Sequence, residues 1–437
     1  MLSKILREHT TLLVLLLLGA ALSVATLAEQ HPTGASGGKQ LARRILAQSP
    51  RPQRVLIVVG GTPEDAQFAA AAEEMLAAGG ASVAVVRGQP ADARQAIDQA
   101  IAAGRPPQAI GATNVTRAWG VFDKLGQRWP ALAGARVVAP ASYWWPNFLK
   151  TANLVNVVNQ VSDIAIVAIG MTMVIIAGGI DLSVGSLIAL AAIIMTKLIR
   201  DYCGGVEAGA AAVVLCAAAA IAASGAIGGC TGLLVTRARI PPFIVTLGVM
   251  SIASGAASIV SRGETIDQVP RAIGWLGRGA DLGVPNTTVL MLLLYVIADV
   301  VMKRTTFGRY LYAVGGNRQA AWLSGVPVDR VVTLSYVISA ALAALAGVMQ
   351  VSLFHSGKPT FGKGYELQVI AAVVVGGTSL AGGEGKMFGT LLGALIIAVV
   401  QNGMNLLGLG GEWQPVVLGA VILAAALIDR LKRRREE

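Results

Sequence analysis

Long runs of residues without any charge constrain this chain more than any other feature of its sequence. Residues 11–28, 240–261 and 331–354 contain no Asp, Glu, Lys or Arg. Each run is long enough to cross the ~30 Å hydrocarbon core of a bilayer as a helix. Hydrophobic residues make up 54% of the chain and charged residues 14%, whereas soluble domains carry about 25% charged residues. The sequence therefore predicts a membrane protein.

The surplus of basic residues favours the same class. The chain carries 35 Lys and Arg against 24 Asp and Glu, a formal net charge of +11. Because these cations lie between the apolar runs and form no single patch, they fit the positive-inside rule better than a nucleic-acid surface. The three cysteines have no metal-ligand spacing, so we interpret Cys203, Cys216 and Cys230 as packing residues and expect no metal site.

The first segment, residues 1–29, has Lys4 and Arg7 ahead of an apolar run. This pattern is typical both of a cleaved signal peptide and of a first transmembrane helix. The run is long for a signal peptide and the cleavage pattern near Leu27 is weak, so we favour a retained helix.

Residues 30–145 have the character of a soluble domain. We predict helices at 63–80, 91–104 and 116–128, alternating with strands at 54–60, 81–88, 107–112 and 135–141. Strands that alternate with helices of this length predict a small, doubly wound α/β domain.

Hydrophobic segments dominate residues 146–430, after an aromatic cluster, YWWPNF, that suits a membrane surface. We predict helices at 151–177, 183–200, 207–234, 242–261, 287–302, 331–354, 366–377, 387–404 and 414–429. With the first segment this gives a membrane all-α fold of about ten transmembrane helices, ending in a basic cytoplasmic tail at 431–437. The Lys and Arg of the loops predict that both termini are cytoplasmic and that the α/β domain is periplasmic.

The stretch GGIDLSVGS places one charge, Asp181, inside an apolar region. A carboxylate within a membrane is costly unless it faces water, protein or a partner. Asp181 or Ser183 can cap the helix that follows the break, and the same groups can line a transport path. We expect the helix to break at Gly178, Gly179 and Gly185.

Amide side chains cluster on one face of a predicted helix, at positions 153, 156 and 160. Amides suit a passing polyhydroxylated solute, but hydrogen bonding between neighbouring helices explains them equally well. Positions 401 and 402 raise the same two alternatives. The residues expected to line a translocation path are Asn153, Asn156, Gln160, Asp181, Ser183, Thr246, Gln401 and Asn402.

Two further motifs concern the source of energy. The GEGK stretch lacks the first glycine and the final Ser or Thr of a phosphate-binding loop, so ATP would have to be bound by another chain. The basic loop TTFGRYLYAVGGNRQAAWLSGVPVDR contains a short helical piece at 317–323 that ends near Gly325. Such a piece is either a docking element or a plain linker.

With these segments the chain resembles the permease subunits of ATP-binding-cassette monosaccharide importers, the ribose, xylose and galactose permease family. The resemblance covers residues 148–430 and includes GMTMVIIAGGIDLSVGSLIALAA and IAAVVVGGTSLAGGEGKMFGTLLGALIIAVVQNGMNLLG. It implies a permease without a cofactor of its own, which works in the inner membrane with a second permease copy, two ATPase subunits that bind ATP and magnesium, and a periplasmic sugar-binding protein.

The resemblance also assigns the basic loop to coupling with the ATPase. The matching residues are Asn317, Gln319, Ala320, Ala321 and Gly325, with Gln319 standing where the family has Glu. Residues 30–145 depart from the family, which has only a short loop there, and look like one lobe of a periplasmic sugar-binding protein. This lobe is expected to dock the binding protein or a second copy of itself, with a sugar-holding remnant and an insert without a function as the two alternatives.

The expected function is therefore import of a pentose or hexose by alternating access, with the chain acting as a transport subunit and not as an enzyme. A stand-alone channel or secondary transporter is one alternative, but the buried acids Asp163 and Asp181 have no evident basic partner. A membrane-anchored sensor that uses the α/β lobe is the other alternative.

Overall fold

The computed structural model describes residues 10–48, 54–281 and 283–433. The chain divides into two compact units. We call Leu27–Pro146 the α/β unit, and the chain on either side of it the membrane unit. Lys4 and Arg7 of the first segment and residues 434–437 of the basic tail lie outside the described residues.

The membrane unit begins with helix α1 (Thr10–Ala25). The α/β unit follows and contains, in chain order, β1 (Leu27–Gln30), α2 (Gly34–Gln48), β2 (Arg54–Val59), α3 (Pro63–Ala78), β3 (Ser82–Arg87), α4 (Pro90–Ala102), β4 (Ala109–Ala112), α5 (Asn114–Arg117), α6 (Leu125–Arg128), β5 (Arg136–Val138) and β6 (Tyr143–Pro146). Strands β2 to β5 form a parallel sheet in the order β3-β2-β4-β5, and β1 pairs with β6 in a separate antiparallel ribbon.

Strand β2 separates two hydrophobic cores, because successive side chains of a strand point to opposite faces. Val55 and Ile57 pack with α2 and α3, whereas Leu56 and Val58 pack with α4 and Trp129. Helix α3 begins with a capping box in which Thr62 Oγ1 accepts from Asp65 N at 3.2 Å. The sheet is thus covered on both faces.

Several elements of this unit differ from the sequence prediction, in which strands β1 and β6 have no counterpart. The predicted helix at 116–128 is wrong, since α5 and α6 occupy its ends and turns join them. Lys124 adopts a left-handed conformation, φ 53°, directly before α6, and this conformation interrupts a right-handed helix. Helix α2 was not predicted, because its N-terminal GASGG has low helix propensity.

The membrane unit continues with α7 (Thr151–Ile176), α8 (Val184–Tyr202), α9 (Ala210–Thr236), α10 (Pro242–Ser261), α11 (Gly274–Arg278), α12 (Asn286–Arg304), α13 (Thr306–Gly316), α14 (Arg318–Leu323), α15 (Val328–Phe354), α16 (Tyr365–Val375), α17 (Met387–Leu406) and α18 (Trp413–Arg433). Within the described ranges, every predicted hydrophobic segment overlaps one of these helices. Six are long and apolar enough to span a bilayer, namely α7, α9, α10, α12, α15 and α17. Membrane crossing by α1, α8, α16 and α18 stays a prediction.

Helices α7 and α15 form the centre of the membrane unit. Most of α7 from Val161 onward is buried, and α15 contacts α7, α8 and α9. Gly170 of α7 lies against the backbone of Ser339, and a Cβ at this position would approach Ser339 Cα to 2.5 Å. The small residue therefore permits the two central helices to touch, as is typical of membrane helices.

Helix α1 packs against α17. The side chain of Leu22 lies over Gly403, where a Cβ would come within 2.5 Å of it. At the end of α1, Thr26 Oγ1 accepts a hydrogen bond from Phe148 N at 3.1 Å. The first helix is thus part of the membrane unit.

Candidate translocation path and coupling loop

A polar cavity of about 720 Å³ opens within the membrane unit. Its lining comes from α7, α11, α12, α15, α16, α17 and the start of α18. Amide side chains dominate its polar lining, namely Asn156, Asn159, Gln160, Gln350, Gln368, Gln401, Asn405 and Gln414. A lining of this kind offers both donors and acceptors to a neutral polar solute.

The amides predicted on the path divide into two groups. Asn156, Gln160 and Gln401 line the cavity. Asn153 and Asn402 instead bond to each other, with Asn153 Nδ2 donating to Asn402 Oδ1 at 3.0 Å and Asn402 Nδ2 donating to Asn153 Oδ1 at 2.8 Å. Hydrogen bonding between helices therefore occurs at two of these five positions, whereas contact of the other three with a solute stays a prediction.

Asp163 is the carboxylate of the cavity, and the expected path did not include it. Its Oδ2 accepts from Gln350 Nε2 and from Tyr365 Oη, both at 3.0 Å. Its Oδ1 accepts from the adjacent Ile164 N at 2.8 Å. An acid inside an apolar helix was the available sequence signal, but its neutral partners are distant in sequence and could not be identified.

The helix break lies between α7 and α8. Gly178 adopts φ +83°, which a side chain would strain. Asp181 is only 1% exposed, and its Oδ1 accepts from Ser183 N at 3.0 Å and from Ser183 Oγ at 2.5 Å. Its Oδ2 accepts from Ser339 Oγ at 2.8 Å. Asp181 thus holds the turn at the break and joins it to α15, whereas the predicted capping of α8 by a side chain is absent at its N-cap, Ser183.

Three other predicted residues lie near this break. Gly179 follows Gly178 and faces the hydroxyl of Tyr336, to which a Cβ would come within 2.4 Å. Thr246 is buried and donates to Ile180 O at 3.2 Å. Gly185 does not break a helix. It lies in the first turn of α8, where a Cβ would approach Gly362 O to 2.5 Å.

Asp181, Ser183 and Thr246 are therefore gathered in the packed interior. The cavity lining does not include them among the described residues. The structure accordingly separates the predicted path residues into a cavity group, an amide pair and a buried cluster at the break.

The predicted coupling loop contains helices α13 and α14. Asn317 caps α14, since its Oδ1 accepts from Gln319 N at 3.0 Å and from Ala320 N at 2.9 Å. Ala321 is buried, and Gly325 ends the loop with φ +81°. The helical piece predicted at 317–323 is confirmed.

Large apolar side chains are exposed on α14. Trp322 is 67% exposed and Leu323 is 75% exposed. A groove of about 1090 Å³ lies beside them, and its lining includes Arg237, Arg239, Arg330 and Arg318. Arg318 Nη2 is 3.7 Å from Asp329 Oδ1. The surface of α14 is thus apolar at its centre and basic at its edge, as is common at protein interfaces.

Comparison with known protein families identifies the family of the membrane unit. Residues 153–426 match the family described as branched-chain amino acid transport system, permease component. The chain belongs to this permease family. The match contains the cavity, the helix break and the predicted coupling loop, but the α/β unit precedes it.

Individual relatives cover most of the membrane unit. The permease is 40% identical to the ribose import permease protein of Escherichia coli K12 over 291 residues, which are 66% of this chain and 87% of that protein. It is 42% identical to the ribose import permease protein of Bacillus subtilis 168 over 280 residues, 64% of this chain and 84% of that protein. The L-arabinose ABC transporter permease protein of Azospirillum brasilense is 33% identical over 278 residues, 64% and 80% of the two chains. No solved structure gives a significant match to the chain.

Family membership has direct consequences. The permease is the transport component of an ATP-binding-cassette importer and not an enzyme. It is a multi-pass protein of the inner membrane. Membership also implies that it works with an ATPase subunit and a periplasmic binding protein.

Proposed function

We propose that the permease imports a monosaccharide through the amide-lined cavity by alternating access. The cavity carries this proposal, because amides can exchange hydrogen bonds with several hydroxyl groups in turn. The names of relatives that are 33–42% identical, which refer to ribose and L-arabinose, favour a pentose.

The path residues have separate roles in this proposal. Asn156, Gln160 and Gln401 contact the solute, because they line the cavity. Asn153 with Asn402 holds α7 to α17, and Asp181 with Ser183 holds the break between α7 and α8. The latter groups fix the wall of the path without touching the solute.

A second permease copy completes the path. Asn156 and Gln160 are exposed in the single chain although α7 is a candidate membrane span. Polar side chains within a membrane face a water-filled path or a protein partner and avoid lipid. The cavity supplies such an environment on one side, and a paired permease would enclose it on the other.

Helix α14 couples the ATPase to the permease. Its exposed Trp322 and Leu323 fit an apolar cleft of the ATPase, and the basic groove beside them fits acidic residues around that cleft. ATP and magnesium are bound by that partner. Closure of two ATPase subunits then moves α14 and, through α13 and α15, reopens the path on the other side of the membrane.

The orientation follows from the distribution of charge. The loops with Arg237, Arg239, Lys303, Arg304 and Arg330 are cytoplasmic, and so are both termini. This orientation makes the α/β unit periplasmic. There the unit docks the sugar-binding protein or a second copy of itself.

Reconstitution tests the proposal. The permease would be placed in liposomes with the ATPase encoded beside it and its binding protein, and uptake of labelled ribose and arabinose measured with and without ATP. We expect ATP-dependent pentose uptake. The family description names branched-chain amino acids, so labelled leucine is the second substrate. Uptake of leucine without uptake of sugar would replace the monosaccharide proposal.

A further inference from the structure

We propose that the Asp163 carboxylate, held in place by Gln350 and Tyr365, is the group in the cavity that binds the hydroxyls of the passing sugar. This inference rests on the proposed function and names a recognition residue for it. Three helices contribute, since Asp163 lies on α7, Gln350 on α15 and Tyr365 on α16. Any movement between these helices would change the position of the carboxylate.

The hydrogen bonds leave one oxygen of this carboxylate open. Both long-range donors, Gln350 Nε2 and Tyr365 Oη, bond to Oδ2. Among the described residues, Oδ1 accepts from the backbone of its own helix turn, at Ile164 N, and the two long-range donors do not bond to it. An ionised carboxylate has about four lone-pair positions, so Oδ1 can accept a further bond from a group in the cavity. Gln350 and Tyr365 fix the direction in which it does so.

The surrounding charge favours a neutral ligand with several donors. Among the described residues, the ion pairs do not include Asp163. Arg278 also lines the cavity, but its Nε–H donates to Leu353 O at 2.7 Å. A carboxylate without a paired cation at this depth requires hydrogen-bond donors. Adjacent hydroxyls of a sugar supply such donors when the sugar is in the cavity.

Amides next to the carboxylate extend the same site. Gln160 precedes Asp163 by three residues and Gln368 follows Tyr365 by three residues, so each pair lies on one face of its helix. Both glutamines line the cavity. A sugar that donates one hydroxyl to Asp163 Oδ1 therefore has amide donors and acceptors beside it for its other hydroxyls.

Asp163→Asn tests this site in the complete transporter reconstituted with its ATPase and binding protein. The substitution retains the shape and replaces one carboxyl oxygen by an amide NH2, so an acceptor for a sugar hydroxyl is lost. We expect the half-saturating concentration of binding-protein-loaded ribose to rise about tenfold, in line with the loss of one hydrogen bond. Tyr365→Phe is expected to give a smaller rise, because the carboxylate stays but loses one of its two fixed donors.

The matched control is Asp299→Asn, which removes an acid on α12 that pairs with Lys303 outside the cavity. Deoxyribose analogues that lack one hydroxyl provide a second measurement. Wild type should discriminate against at least one analogue, and Asp163→Asn should discriminate less. Gel filtration and co-purification of the ATPase establish that each variant is folded, and Tyr365→Phe replaces Asp163→Asn if the latter fails to fold.

The outcomes separate this inference from the proposed function. If wild type imports ribose and the folded Asp163→Asn and Tyr365→Phe variants keep its half-saturation and its selectivity, the recognition site is overturned while sugar import stands. If wild type imports no sugar, the proposed function fails and this inference with it. The site is supported if Asp163→Asn raises the half-saturating concentration or weakens discrimination between sugars and Asp299→Asn does neither.

Discussion

Asn153 and Asn402 exchange a pair of hydrogen bonds between α7 and α17, at 3.0 and 2.8 Å. Asn153 Nδ2 also lies 2.9 Å from Phe148 O, just before α7. Each amide therefore satisfies the polar atoms of the other within an apolar region. The pair fixes two helices that both contribute to the cavity wall.

Removal of one partner should cost more than removal of both. Asn153→Ala leaves Asn402 without its main partner, and we expect a loss of about 1–2 kcal/mol in unfolding free energy. Asn153→Leu with Asn402→Leu should be closer to wild type, because neither amide is left without the other and only Phe148 O loses a donor. Thermal unfolding in detergent measures the stability of the single and of the double variant, and Asn405→Ala, at an exposed position, is the control. Equal melting temperatures for Asn153→Ala and Asn405→Ala would contradict the pairing.

Asp181 should behave as a structural residue. Asp181→Ala leaves the hydroxyls of Ser183 and Ser339 without their acceptor in a buried site, so we expect a stability loss of about 1–3 kcal/mol. Asp181→Asn keeps one acceptor oxygen and should lose less. Ser339→Ala removes one donor and serves as the intermediate case. A folded Asp181→Ala variant with normal melting but without sugar uptake would instead support a direct role in the path.

The sequence predicted the helices better than it predicted the site. Charge-free runs located the membrane helices to within a few residues, because the bilayer imposes a length and an apolar composition that are visible locally. The partners across the site are not local. Asn153 and Asn402 are 249 positions apart, and Asp163 is 187 positions from Gln350.

The glycines that were expected to break a helix show the same limit. Gly178 was predictable, since a Gly-Gly pair before Asp181 indicates a turn. Gly185 could not be assigned in this way, because its role depends on the approach of Gly362 from a distant loop. A glycine in the sequence indicates either a turn or a close contact, and only the fold distinguishes them.

Helix α14 leads to a prediction in which ATPase binding is lost while the permease stays as stable as wild type. Trp322→Ala removes a side chain that is 67% exposed, so the melting temperature of the permease should stay unchanged. Co-purification of the ATPase should fall, because exposed tryptophans at interfaces contribute strongly to binding. Trp275→Ala is the matched control, since Trp275 is 62% exposed on α11 outside the coupling loop. Equal ATPase recovery with both variants would contradict a docking role for α14.

Gly325 adds a second test of the same loop. Its φ of +81° lies in the left-handed region, where a residue with a Cβ costs about 1–2 kcal/mol. Gly325→Arg, with Ala320→Asp on the exposed side of α14, should therefore distort the end of the loop and abolish ATPase binding. Gly316→Ala, at a position with helical backbone and open space among the described residues, should retain it.

Two cysteines should form a cross-link on oxidation. Cys203 Sγ at the end of α8 lies 3.6 Å from Cys216 Sγ in α9. A disulfide requires about 2.05 Å between the sulfurs, so the two side chains have to move closer together to form it. Mild treatment with copper phenanthroline should remove two alkylatable thiols and give no dimer, as measured by mass spectrometry. Cys230→Ser should cross-link like wild type, whereas loss of the cross-link only in Cys230→Ser would place the pairing elsewhere.

The α/β unit should fold as a separate domain, because both of its cores are formed from its own residues. Within it, Gly38 of α2 contacts α3 so closely that a Cβ would come within 2.1 Å of Phe68 O. Gly38→Ala should therefore destabilise residues 27–146 by about 1–3 kcal/mol, although glycine-to-alanine changes in helices usually stabilise. Gly61→Ala is the matched control, since a Cβ there meets open space among the described residues. Urea unfolding of the isolated segment measures both, and a Gly38→Ala midpoint at or above wild type would contradict the packing of α2 on α3.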